Sequence, residues 1–151
     1  MVKSNSDDGK ATVFKGNHVL SMNGILLYGA VIVCGWTIVR SAAQPPSLIL
    51  VPLLVTLLFV IGFGLQLFYF KLSASRLEIR NHIFPWYKKE YPLKEISGVV
   101  ISRVTRQSRH LRINTIDSRT RRFPAGSLRN DTWTALEKAL RNEHISVRHG
   151  G

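Results

Sequence analysis

VLSMNGILLYGAVIVCGWTIV at Val19–Val39 and LILVPLLVTLLFVIGFGLQLFYF at Leu48–Phe70 decide how this chain is read. As helices rising 1.5 Å per residue they would span roughly 31 and 34 Å, against a bilayer hydrocarbon core of about 30 Å. The second run carries no charge, and only Thr56 and Gln66 are clearly polar. Two membrane helices are therefore expected, joined by a short connection from Arg40 to Ser47. A basic stretch, Lys71 to Gly151, follows them.

The mean hydropathy of +0.05 hides this division, because it averages apolar helices with a charged domain. The sequence divides into a tail at 1–18, a two-helix transmembrane hairpin at 19–70 and a basic domain at 71–151. About 80 residues suffice for one small core. All but four of the 21 Lys and Arg lie at or beyond Lys71, so the positive charge belongs to the C-terminal part. The single cysteine, Cys34, excludes an internal disulfide and paired-cysteine metal sites.

Charge also sets orientation. Lys3, Lys10 and Lys15 precede the first run, and Lys71, Arg76 and Arg80 follow the second, while the connection has only Arg40. Cationic flanks stay on the cytoplasmic side, so both termini are expected inside, as in a multi-pass inner-membrane protein. The first run followed by Ser41-Ala42-Ala43 also fits a cleaved secretory signal. Arg40 at the cleavage site, the length of the run and the exported cations all favour the uncleaved hairpin. Gly24, Gly29, Ala30, Cys34 and Gly35 are small enough for close helix packing, with the second helix or with another subunit. No ionisable side chain sits in mid-membrane, so a transporter or pore would require oligomers and has no residue arguing for it.

Beyond Ser73 the pattern becomes that of strands. Leu77 and Ile79 alternate with Arg76, Glu78 and Arg80; further strands are expected at Trp86–Tyr91, Val99–Val104, Leu111–Ile116 and Thr120–Phe123. For the last pair, a three-residue turn that sets Ile113 against Phe123 and Leu111 against Ala125 keeps one apolar face, whereas a two-residue turn mixes the faces. Arg112 and Arg122 then point outward. A helix capped by Asn130 or Asp131 follows, with Trp133, Leu136 and Leu140 on one side and a favourable Glu137–Arg141 pair. Together these elements give an α+β domain: a curled antiparallel sheet with a C-terminal capping helix.

The two apolar runs, Leu77-Glu78-Ile79, Ile83-Phe84-Pro85-Trp86-Tyr87-Lys88, Pro92-Leu93-Lys94-Glu95-Ile96 and Phe123-Pro124-Ala125-Gly126-Ser127-Leu128 before the last helix carry a resemblance. The chain resembles small bacterial PH-like domain membrane proteins over most of its length. The resemblance implies a PH-like curled sheet or partial barrel facing the cytoplasm, serving interaction or scaffolding rather than catalysis. Five strands are counted here where a full PH fold has seven.

Two candidate surfaces stand out. Arg103, Arg106, Arg109, Arg112, Arg119, Arg121 and Arg122 could form a docking patch for anionic lipid headgroups or an acidic protein; the plainer reading is a solvated edge. Lys71, Arg76, Trp86, Lys88 and Lys89 could lie at the membrane interface, although Trp86 and Tyr91 are read first as core residues. The five histidines are scattered, no glycine-rich phosphate loop occurs, and no nucleophile is paired with a base. A non-enzyme without cofactor or metal is expected, with a protein partner or a homo-oligomer. Nucleic acid fits the charge, but a membrane tether explains the charge more simply.

Overall fold

The computed structural model describes residues 11–40, 46–102 and 109–150, and among these it shows three helices and eight strands of an α+β protein. Helix α1 (Met22–Arg40) begins where the Ser21 hydroxyl accepts the Gly24 amide at 3.0 Å, a cap for an otherwise orphaned donor. It ends on Arg40, whose guanidinium lies 5.0 Å from the Trp36 ring centre, a cation placed well for the helix dipole. Helix α2 (Pro46–Gly64) contains Pro52, and the Thr56 hydroxyl donates to the Pro52 carbonyl at 2.8 Å.

The two helices pack on each other. At their base the Asn23 amide donates to the Gln66 carbonyl oxygen at 3.1 Å, which makes the pair antiparallel. Elsewhere their apolar surface is open. Ile32, Val33, Trp36 and Val39 on α1, and Leu50, Val51, Leu57 and Leu58 on α2, are more than half exposed. By length and composition α1 can cross a membrane, and Ile49–Gly64 is a shorter apolar helix.

The second apolar run does not stay helical to Phe70. It stops at Gly64, and Phe68–Leu72 forms strand β2. The cause is a change of period: Phe68, Phe70 and Leu72 turn inward while Tyr69 and Lys71 are half-exposed. The buried Asn81 amide holds the junction by donating to the Gly64 carbonyl at 2.8 Å.

The tail expected over 1–18 contributes strand β1 (Thr12–Phe14), paired antiparallel with β2 through Thr12–Leu72, Val13–Lys71 and Phe14–Phe70. With β3 (Arg76–Asn81) and β4 (Lys88–Pro92) it makes a four-stranded sheet in the order β1-β2-β3-β4. The second sheet runs β7-β6-β5-β8, from β5 (Ile96–Ser102), β6 (His110–Thr115), β7 (Thr120–Pro124) and β8 (Val147–Gly150), the last parallel to β5. A bridge between Leu67 and Ala125 joins the sheets.

The inner faces meet in one core with Phe70, Leu77, Ile79, Leu111 and Ile113 at its centre. Helix α3 (Asn130–Asn142) covers it with Trp133, Leu136 and Leu140, all buried as expected. Arg129, rather than Asn130 or Asp131, occupies the N-cap position; Asp131 falls in the first turn, where the dipole favours an acid. The Glu137–Arg141 pair forms at 2.8 Å.

The β6–β7 register differs from the expected one by two residues. Leu111 faces Phe123 and Ile113 faces Arg121. The three-residue loop is Ile116–Ser118, closed by the Thr115 amide on the Arg119 carbonyl at 3.0 Å. Ser118 adopts φ 61°, so the left-handed position of the turn falls there and the loop is centred on Asp117. A slip of two preserves the faces, which is why Leu111, Ile113 and Phe123 remain buried together.

Phe14 is 5 % exposed and Val13 is 50 % exposed. Phe14→Ala is expected to destabilise the domain by about 3–4 kcal/mol, and Val13→Ala by less than about 0.5 kcal/mol. Urea titration in detergent, followed by tryptophan fluorescence in a Trp36→Phe, Trp86→Phe background that keeps Trp133, measures both.

Candidate functional site

Two surfaces carry chemistry, and the first is the junction between helices and domain. Asn81 organises it. Its side-chain oxygen accepts the Ile83 amide at 2.8 Å and the Phe84 amide at 3.0 Å, while its amide holds Gly64. The loop from His82 to Tyr87 is thus fixed beside the end of α2; a Cβ on Gly64 would lie 3.0 Å from the Phe84 ring. Phe84 and Trp86 contact one another with centroids 5.4 Å apart, and Trp86 is 78 % exposed. Trp86 therefore does not fill the core as expected, whereas half-buried Tyr91 packs against it.

The cations of this candidate surface separate. Each residue along a strand adds about 3.4 Å. Asn81 marks the helix end of β3, so Arg76 lies at its far end, roughly 17 Å away. Arg76 pairs there with Glu78 and Glu90, both at 3.3 Å. Lys71 stands opposite Glu78, and Lys88 pairs with Glu90. Lys71 and Arg76 thus lie along the sheet away from the helix end, although both follow the apolar run closely in sequence. Lys88 and Lys89 are exposed, and Lys88 stands opposite Arg80 near the loop.

His82 lies in the same junction, between the rings of His18 and Tyr69, each 4.6 Å away. Its Nε2 is covered and has no hydrogen-bond partner among the described residues. Burial first, then the nearby His18 and Lys15, lower its pKa from 6.5 to about 4.

The expected small-residue contact is only partly made. A Cβ on Gly24 would meet the His18 carbonyl oxygen, so this glycine is needed where the chain turns into α1. Ala30 and Cys34 are half-covered. A Cβ added at Gly29 or Gly35 would meet nothing within 4 Å, so neither is a point of close approach to α2.

The second surface is the outer face of the β7-β6-β5-β8 sheet. Alternation along β6 and β7 sends Arg112 and Arg122 outward, directly opposite one another. Arg112 is also opposite Val100, and Val100 opposite Arg148. One row across four strands therefore reads Arg122, Arg112, Val100, Arg148. His110 extends it, its Nε2 2.6 Å from the Ser102 hydroxyl, with its pKa lowered by burial and by Arg122 and Arg112. Among the described residues no acid belongs to this face, and the Arg112 Nε is covered without a partner.

The expected arginine set is therefore divided. Arg103 and Arg106 lie outside the described residues. Arg109 is half-buried, and its carbonyl accepts the Ala125 amide at 3.2 Å. Arg119 is paired with Asp117 at 3.1 Å, and Arg121 falls on the opposite face from Arg122. Arg148 was missed, because the parallel pairing of β8 with β5 has no local signature; alternation in Val147-Arg148-His149 was the available signal.

Among the described residues no group of three His, Cys, Asp or Glu side chains could hold a metal ion. Neither a protein-family model nor a curated protein sequence matches the chain.

His82 is held neutral in the fold, so its contribution to stability is full above pH 6.5 and is lost as pH falls from 6.5 toward 4. Glu90, lowered by its hydrogen bond from Lys88, and Asp117, lowered by its hydrogen bond from Thr115, titrate below the upper part of this window. His110, lowered in the same direction, adds to the loss in this window, so urea midpoints are expected to drop between about pH 7 and pH 5 and His82→Phe should reduce that drop without abolishing it. Equal slopes for the variant and the parent protein would exclude His82 as a cause.

Proposed function

We propose that this chain is a non-enzymatic integral membrane protein, with α1 and α2 as an anchoring hairpin and a PH-like interaction or scaffolding module on the cytoplasmic side. The observation that carries the reading is the β1–β2 pairing. The strand before α1 and the strand after α2 share one sheet, so a pair of helices inserted in a bilayer must leave and re-enter on one face. The open apolar surface of both helices supports insertion, since a helix apolar all round and uncovered by protein needs a non-aqueous surrounding. Orientation follows the cationic flanks. Two sheets sharing one core and covered by α3, the last helix, support the PH-like reading, although β8 follows that helix, and an exposed Trp86 beside the helix end suits the headgroup layer.

Protease added to right-side-out spheroplasts is expected to spare the chain beyond Phe70 and to digest it in inside-out vesicles. Digestion from outside overturns the topology. As an interaction module the protein should also retain a protein partner when purified from native membranes in mild detergent.

The arginine row favours a second reading, recognition of anionic lipid headgroups. Each cation near an anionic leaflet contributes about 1 kcal/mol, screened within a Debye length of about 8 Å. Hydrogen exchange over 110–124 and 147–150 is then expected to be slower in nanodiscs of anionic lipid than in zwitterionic ones. Arg122→Glu with Arg148→Glu should weaken that preference by at least about 2 kcal/mol. Identical exchange in both lipids excludes this reading.

A further inference from the structure

The two sheets form two seams; one is covered by a helix, and the other is bridged, among the described residues, only at the end of β7, by Leu67 with Ala125. Helix α3 packs on β1 and β8, an edge strand of each sheet. Glu137 on α3 fastens β8 further, its carboxylate 3.1 Å from His149 Nε2. The other two edge strands, β4 and β7, have one strand neighbour each. Between them lies a groove of about 520 Å³ lined by Tyr87, Lys89, Tyr91, Arg121, Arg122 and Phe123 among others. Tyr91 and Phe123 meet edge to face at 6.1 Å and Tyr87 rests on Phe68 at 5.1 Å, so the floor is aromatic and already packed.

The charges along the groove are unequal in availability. Glu90 is engaged by Arg76 and Lys88, and Asp117 by Arg119. Lys89, Arg121 and Arg122, and on the acidic side Glu95, have no ion pair among the described residues. Unpaired backbone edges over an aromatic floor suit an extended chain adding as a strand, with alternate side chains directed into and out of the groove. Three unmatched cations against one unmatched carboxylate, Glu95, set the sign of that chain.

We infer that the groove between β4 and β7 takes an extended, acidic peptide segment of a partner protein as an added β-strand. This rests on the reading of the domain as an interaction module, and the two are separable. Absence of any partner in native membranes would end that reading, whereas the groove is tested by direct titration.

The probe is a short fluorescent peptide alternating glutamate with valine, titrated against the full chain in detergent micelles. Its lysine counterpart and a version N-methylated at alternate backbone positions serve as comparisons. The glutamate peptide is expected to bind at least about tenfold more tightly than either. Lys89→Glu with Arg121→Glu should reverse the charge preference; Lys89→Glu alone, at an exposed site, provides the comparison if the double variant does not fold. Equal binding of all three peptides, or no saturable binding of the glutamate peptide, overturns the proposal. So does a concentration-dependent dimer abolished by these substitutions, which would assign the groove to a second copy. Capture of anionic vesicles in place of peptide, with the same sensitivity, would assign it to lipid and equally overturn the proposal.

Discussion

Three residue pairs, Thr12 with Leu72, Val13 with Lys71 and Phe14 with Phe70, tie the chain before the first helix to the chain after the second. The rest of the structure depends on this closure. Between the pairs run more than 50 residues of mostly apolar sequence, which leave the sheet and return to it. Phe14 is packed in the same core as Phe70 and Trp133, so the entering strand belongs to the domain. Asn81 and Asn23 repeat the constraint at the helix ends, one through the Gly64 carbonyl and the other through Gln66. The strand pairing and these two hydrogen bonds thus hold the helix pair against the sheet.

Charge is divided between the two sheets in a way that folding alone does not require. On the outer face of the first sheet Glu78, although only 2 % exposed, sits between Arg76 and Arg80, with Lys71 and Glu90 opposite it. That face answers its own charge. On the second sheet Arg112 opposes Arg122, an arrangement that costs a sheet about 0.2–1 kcal/mol relative to a neutral pair. Burial of Leu111, Ile113 and Phe123 on the inner side outweighs it easily at about 1.5–3 kcal/mol each. The fold can therefore carry an uncompensated row of guanidinium groups, and an anion brought to it recovers the electrostatic cost. On the proposed membrane reading, the leaflet and an acidic partner compete for that role.

Much of the fold was legible because it is locally periodic. Trp133, Leu136 and Leu140 gave α3, Leu77 and Ile79 gave β3, and parity alone placed Arg112 and Arg122 outward. What escaped has no local signal or carries a stronger competing one. Phe68, Phe70 and Leu72 alternate as a strand should, but they follow directly on a long apolar run and were read as its continuation. Thr12–Phe14 is too short to be recognised without its partner. Val147–Gly150 follows His144 at φ 60°, a left-handed turn that the residue type does not announce. The arginine row needed that last strand, since Arg148 joins it only through the parallel pairing with β5. Trp86 was assigned by its hydrophobicity, while its position is set by Asn81, which anchors the loop to α2.

The handling of strand edges links these features. An unpaired edge invites pairing with another chain, and most sheets blunt it with short strands, charges or a covering element. Here β1 is three residues long and lies under α3, and β8 is fastened to α3 through Glu137. Those two edges are disposed of by parts of the same chain. At β4 and β7 the terminal prolines, Pro92 and Pro124, and charge do this work, and among the described residues the unpaired cations Lys89, Arg121 and Arg122 outnumber the unpaired Glu95 while leaving the backbone between accessible. A charged edge over a packed aromatic floor is guarded against one sign of partner and open to the other. Since Tyr91 and Phe123 already touch, an added strand would find its seat formed and would require no rearrangement of the core.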